Sequence, residues 1–269
     1  EIGAEIKRVS NEELPTLVKY ADEIEHLPAM RKRCRAFAEQ IDAVPDDEWC
    51  HIHHFENNGE ERILAAVLYH FGDASYDVCF DQVIKMSLEE RQAIVDALFE
   101  GMNPFDVPIR EIEYANLSFD LVMDQGAYFE FKRHRMMTQT PQDLSTRLGY
   151  SVPLAITEAG IEDEYRAIMK QASDVYELIA AWNPQVAAYV VPNAYNRRVL
   201  CQTNLRALSH FISLRTAGNA HFSIRRVARA MLEKASEIYP LICGTIRLKN
   251  NETSEGLTKE YFTAVADKA

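Results

Sequence analysis

Apolar positions along this chain fall into sets with two different spacings, and the spacing changes part-way. Leu14, Leu17, Val18 and Ala21 follow at helical intervals behind Ser10-Asn11-Glu12-Glu13, which has the form of a capping box. Residues 51–56 and 62–69 read as short strands joined by the turn Asn57-Asn58-Gly59. Tyr76, Val78 and Phe80 alternate, which predicts a further strand. Ser87-Leu88-Glu89-Glu90 caps a helix carrying Ile94, Val95 and Leu98, and Gly101 ends it. Ala115, Leu117, Phe119, Leu121 and Met123 alternate strictly and predict a strand, after which Asp124 caps a helix running to Phe131. Residues 126–135 fit helix and strand equally.

Helical spacing then takes over. Ile161, Tyr165, Ile168, Ala172, Val175 and Ile179 predict one helix within 158–182, and Pro184 and Pro192 break the chain after it. Residues 195–217 and 221–238 read as two more helices, separated by Ala217-Gly218-Asn219. Strands early and helices late predict an α+β fold, an antiparallel sheet with flanking helices. The expected organisation is an N-terminal helical and strand extension over 1–59, a main domain over 60–248, and a tail over 249–269, polar and mobile through 260.

Composition narrows the class. A chain of 269 residues with 47% hydrophobic content is globular. No apolar run reaches 18 residues, so no membrane-spanning helix is expected. The first residues do not read as a signal peptide, and the missing initial Met leads us to expect a processed or trimmed chain. Cys34, Cys50, Cys79, Cys201 and Cys243 form no CxxC pair, which fits a reducing compartment and predicts a cytoplasmic location. A net charge of −12 argues against a nucleic-acid partner and an anionic membrane.

The charge is uneven. Residues 1–60 hold 14 acids against 7 Lys and Arg, whereas residues 178–232 hold no acid and seven Arg: 197, 198, 206, 215, 225, 226 and 229. Arg suits planar, bidentate anion recognition, so this stretch predicts a local anion pocket. On a helix over 203–217, Asn204 and Arg215 share a face, and Arg206 and His210 share the next one. A second cluster holds Arg133, His134, Arg135, Thr138, Asp143, Ser145, Thr146 and Arg147, a set suited to phosphate oxygens and a uracil- or flavin-like edge. His51 and His53 could share a strand face, but without a third ligand they read as ordinary strand residues, and no metal is expected. GxSxG, GxxxxGK[ST] and GxGxxG are absent, and Cys201 in its apolar run reads as core.

The run Arg133-His134-Arg135-Met136-Met137-Thr138, continuing to Asp143-Leu144-Ser145-Thr146-Arg147, resembles the signature of flavin-dependent thymidylate synthases. A second stretch, from Asn204-Leu205-Arg206 through Phe211-Ile212-Ser213-Leu214-Arg215 to Asn219-Ala220-His221-Phe222, is similar to another motif of that family, and Pro104-Phe105-Asp106 resembles its upstream element. The resemblance implies an oligomer, a tetramer or a pseudo-tetramer of tandem chains. It implies FAD reduced by NADPH, and a methylene passed from methylenetetrahydrofolate to C5 of dUMP. It places Arg133, His134, Arg135, Thr138, Asn204, Arg206, His210 and Asn219 at the flavin. It places Glu130, Asp143, Ser145, Thr146, Arg147 and Arg215 at dUMP, with Ser145 and Arg215 as the catalytic pair. Glu130 stands where the family carries Gln, His210 where it has Asn, Asn219 where it has His, Leu148 where it has Tyr, and Ala188 where it has Arg. These departures imply a diverged relative, or one half of a tandem synthase that is catalytically weak and serves binding or assembly.

Overall fold

The computed structural model describes residues 2–18, 25–42, 48–103, 106–248 and 250–267. The chain divides into two units, Glu1–Asp47 and Glu48–Ala269. The first holds α1 (Ile2–Glu13), α2 (Pro15–Val18) and α3 (His26–Ala38). None of these helices buries a residue. The expected capping box at Ser10 lies inside α1, where Arg8 already binds Glu5 and Glu12 across successive turns. The break comes instead at Pro15, whose missing N–H suits the first turn of a new helix. Ala21 lies outside the described residues.

The second unit is α+β, as the spacing predicts. Four strands, β1 (Cys50–Phe55), β2 (Asn116–Asp124), β3 (Thr138–Pro141) and β5 (Asn196–Asn204), form an antiparallel sheet in the order β1-β2-β5-β3. A separate pair joins β4 (Tyr150–Pro153) to β6 (Phe262–Asp267). The alternation in β2 sends Leu117, Phe119, Leu121 and Met123 into the core. That face is covered by helices, chiefly α4 (Gly59–Phe71), α7 (Gln125–Phe131), α11 (Leu205–Arg215) and α12 (Phe222–Ile238). Between them in sequence lie α5 (Tyr76–Lys85), α6 (Leu88–Phe99), α8 (Leu154–Glu158), α9 (Glu162–Ala180) and α10 (Pro184–Ala187), and after them α13 (Pro240–Cys243) and α14 (Ser254–Tyr261).

Local signals explain several of these elements. Ser87 and Glu90 form a full capping box on α6, and Gly101 follows it at φ +73°. The Asp124 carboxylate accepts from the Ala127 N–H at 2.8 Å and starts α7, which settles 126–131 as helix.

Four expectations are corrected. Residues 62–69 belong to α4, not to a strand. Asn58 turns the chain at φ 57°, and Ile63, Leu64 and Val67 then bury at helical spacing. Gly59 is needed there because a Cβ would sit 2.6 Å from the Tyr239 ring. Residues 76–80 are helical as well: Cys79 and Val83 point inward four apart, and the Tyr76–Phe80 alternation is the same i,i+4 pair seen from outside. Residues 196–204 form β5 rather than helix, because Val199, Cys201 and Thr203 alternate inward and the strand pairs with β2 along its whole length. The tail past 249 is built into the fold: Thr253 caps α14, Leu257 is buried, and β6 adds to β4. Gly149, at φ +73°, lets β4 pass the Asp267 carbonyl where a Cβ would clash.

Candidate anion-binding cavity

The sheet brings the two Arg-bearing motifs together. β5 ends at Asn204, whose side-chain oxygen accepts from the Ala207 N–H at 2.8 Å and starts α11. α7 ends at Phe131, and the following turn carries Arg133, His134 and Arg135 back past α11. The Gln139 amide fixes that turn by donating to the carbonyls of Phe131 and His134, both at 3.1 Å. Phe211 of α11 packs edge-on against Phe131 and His134.

Between these elements lies a cavity of about 830 Å³. Arg133, His134 and Arg135 line one side, and Asn204, Arg206, His210 and Arg215 line the other. Seven of the residues expected to bind a flavin or nucleotide therefore share one hollow. The size is that of an ordinary small-molecule site.

Its charges are not equivalent. Arg215 donates from Nη1 to Glu130 at 2.5 Å and from Nε to His134 Nε2 at 3.0 Å. Arg206 donates to the Pro108 carbonyl at 2.8 Å and to Glu113 at 3.1 Å. Arg110 and then Arg206 hold the Glu113 carboxyl below its usual range. Arg133 and Arg135 are exposed and have no carboxylate partner among the described residues. His134 accepts from a cation, so it is neutral. Burial, then Arg215 and His210, lowers its pKa to about 4.

Other expected residues lie elsewhere. Thr138 begins β3 and Asn219 sits in the turn before α12, both exposed and both outside the cavity lining. The Asp143–Arg147 stretch lies against α9. Thr146 accepts from Ser173 at 3.0 Å, Arg147 approaches Glu177 at 3.6 Å, and Ser145 lies beside Arg147. Within this chain the expected dUMP set is thus split, with Arg215 in the cavity and Ser145, Thr146 and Arg147 apart from it.

The acid-free stretch is also corrected. Acids remote in sequence neutralise it: Asp120 holds Arg198, Glu113 holds Arg206, Glu130 holds Arg215 and Glu252 holds Arg225. Arg226 stacks on Trp49 at 3.6 Å, and Arg229 binds Asn250. Cys201 is packed against Met137, and burial pushes its thiol up to about 12, so it is no nucleophile. No group of metal-ligating side chains occurs among the described residues.

A sequence profile described as "Thymidylate synthase complementing protein" matches residues 56–241, the span that carries β2, β3 and β5 and every residue lining the cavity. The chain belongs to this family. It is 33% identical over 205 residues to the "UPF0159 protein" of Chlamydia muridarum, covering 76% of this chain and 39% of that one. It is 27% identical over 257 residues to a "UPF0159 protein" of Chlamydia pneumoniae, covering 88% and 48%. It is 28% identical over 139 residues to the "Flavin-dependent thymidylate synthase" of Sulfurisphaera tokodaii, covering 48% and 53%. The chain spans half or less of the length of the first two. No helix among the described residues is long and apolar enough to cross a membrane.

The family member shows cavity residues that motif reading passed over. Glu113, Val107 and the Pro108 carbonyl come from the segment before β2, and Ser209, Ser213 and Leu214 come from α11. Ser209 and Ser213 had a signal, since they lie one turn apart beside Arg206 and His210. Asp106 also lines the cavity, while Pro104 and Phe105 lie outside the described residues.

Proposed function

We propose that this domain binds a flavin in the cavity between the Arg133–Arg135 turn and α11, and acts in the flavin-dependent synthesis of dTMP from dUMP. The observation that carries the reading is the pair of arginines, Arg133 and Arg135, that line a cavity of about 830 Å³ with no carboxylate partner among the described residues. They suit the pyrophosphate of FAD. The Asn204 oxygen is spent on the helix cap, so its amide NH2 is left to donate to a ring carbonyl. The neutral His134 and the Arg206 and His210 pair complete the wall. Bound FAD would supply hydride chemistry, with NADPH as reductant and methylenetetrahydrofolate as carbon donor. The family and the names of its relatives support this reading.

The split of the dUMP set gives the oligomer a role. Ser145, Thr146 and Arg147 would serve a cavity on another copy, or on the second half of a tandem chain, in the cytoplasm. The Arg215–Glu130 pair favours a second reading, a half that binds nucleotide or flavin and assembles with a partner but turns over weakly.

The test is purification followed by two assays. Yellow protein whose flavin absorbance survives dialysis is expected. Tritium release from C5-labelled dUMP that needs both NADPH and methylenetetrahydrofolate identifies the synthase. Retained flavin with no release identifies the weak half, and colourless protein that takes up no FAD overturns both.

A further inference from the structure

Glu130 pairs with a cavity arginine without itself lining the cavity. It lies on α7 one turn before Arg133, and its carboxylate holds the Arg215 guanidinium at 2.5 Å. Both side chains are largely withdrawn from solvent, at 24% and 17% exposure. On its other side Arg215 donates to His134 Nε2, an acceptor with no charge of its own. Arg215 is therefore neutralised from within, and its direction is fixed from two sides. The contrast is with Arg133 and Arg135 across the same cavity, whose charge meets no carboxylate among the described residues.

We propose that Glu130 is a latch on Arg215, an internal carboxylate that competes for the guanidinium with the phosphate or ring carbonyl of a nucleotide in the cavity. The inference rests on the cavity's being a nucleotide or flavin site. An anion in the cavity meets Arg133 and Arg135 unopposed, and at Arg215 it competes with Glu130 for a guanidinium that lines the same wall. Displacement exchanges one charge-assisted bond for another and leaves a half-buried carboxylate to be rehydrated, so the latch weakens anion binding. It also makes the two ends selective: the Arg133 end takes phosphates, and the latched end admits a neutral polar edge more readily than a second negative charge.

Titration calorimetry of the full chain with dUMP and, separately, ADP tests this. Glu130→Gln is expected to bind each nucleotide about tenfold more tightly than the wild-type chain, a difference of about 1.4 kcal/mol. Arg133→Ala is expected to weaken both backgrounds alike. Wild-type binding that Glu130→Gln leaves unchanged or weakens overturns the latch and leaves the cavity's function standing. No binding by either protein removes the nucleotide reading, and the latch with it. Should Glu130→Gln fail to fold, the side-chain Nε–H signal of Arg215 in the wild-type protein decides. The latch requires that signal to move when dUMP saturates the protein, and a bound state in which it stays put overturns the proposal.

Discussion

α11 and α12 are consecutive helices drawn from one Arg-rich, acid-free stretch, yet their arginines do different work. On α12, Arg225, Arg226 and Arg229 are all buried. Arg226 sits over the Trp49 ring and donates from Nε to Thr258, and Arg229 donates to the Asn250 carbonyl at 2.9 Å. Burial lowers the Arg226 pKa to about 10. These side chains tie the α14 region to the sheet. On α11, Arg206 and Arg215 reach the cavity and are steered by single carboxylates. The lesson concerns the partner rather than the cation. A guanidinium enclosed by protein on all sides is structure, and one that shares a cavity wall is available to a ligand.

The largest expected effect breaks this comparison from the α12 side. Arg226→Ala removes a stacked, hydrogen-bonded side chain from a closed site and leaves Thr258 without its donor. A stability loss of about 2–4 kcal/mol is expected, read as a fall in denaturation midpoint. Per folded molecule, flavin binding should persist. Lost flavin at an unchanged midpoint would move α12 into the site and end the distinction.

Arg133→Ala probes the cavity side. Its guanidinium is exposed, so the midpoint should shift by no more than about 0.5 kcal/mol. Loss of a charge-assisted contact should weaken flavin binding by about 1.5–3 kcal/mol, measured as FAD released on dialysis. Full flavin stoichiometry in this variant would count against the cavity.

His134 links the two behaviours, being buried yet part of the cavity wall. Its pKa falls from 6.5 to about 4 in the fold, so the folded chain keeps it neutral while the unfolded chain protonates near 6.5. Stability is then full above about pH 6.5 and drains away as pH falls toward 4. His134→Gln, which retains an acceptor for Arg215, should flatten that slope by about 1–2 kcal/mol across the window. Matching acid slopes in both proteins would show that His134 is not held neutral.

Much of the frame was legible in sequence because its signals are local. The Ser87–Glu90 box, the Asp124 cap, the alternation of β2 and the spacing of α9 and α12 each depend on residues a few positions apart. Runs such as 62–69, 76–80 and 196–204 are too short for their spacing to decide between helix and strand, and pairing or packing chose their state. The cavity divides the same way. Arg133–Arg135 and Asn204–Arg215 are contiguous motifs. The acids that discipline them are not, since Glu113 lies 93 residues from Arg206 and Glu130 lies 85 from Arg215. An acid-free stretch of chain says little about acids in space.

Asn204 offers the finest cut, because one side chain serves both purposes. Its oxygen caps α11, and the residue also lines the cavity. Asn204→Ala removes both and should lower stability by about 1 kcal/mol, along with flavin affinity. Asn204→Asp keeps an oxygen for the Ala207 N–H and places a negative charge at a helix N-terminus, where it is favourable. Its midpoint should therefore stay within a few tenths of a kcal/mol of wild type. The donor toward the ligand is gone, however, and a carboxylate faces any ring carbonyl. If the Asn204→Asp variant holds flavin as well as the wild-type chain does, the amide is only a cap, and the ligand is oriented by Arg206 and His210 without it.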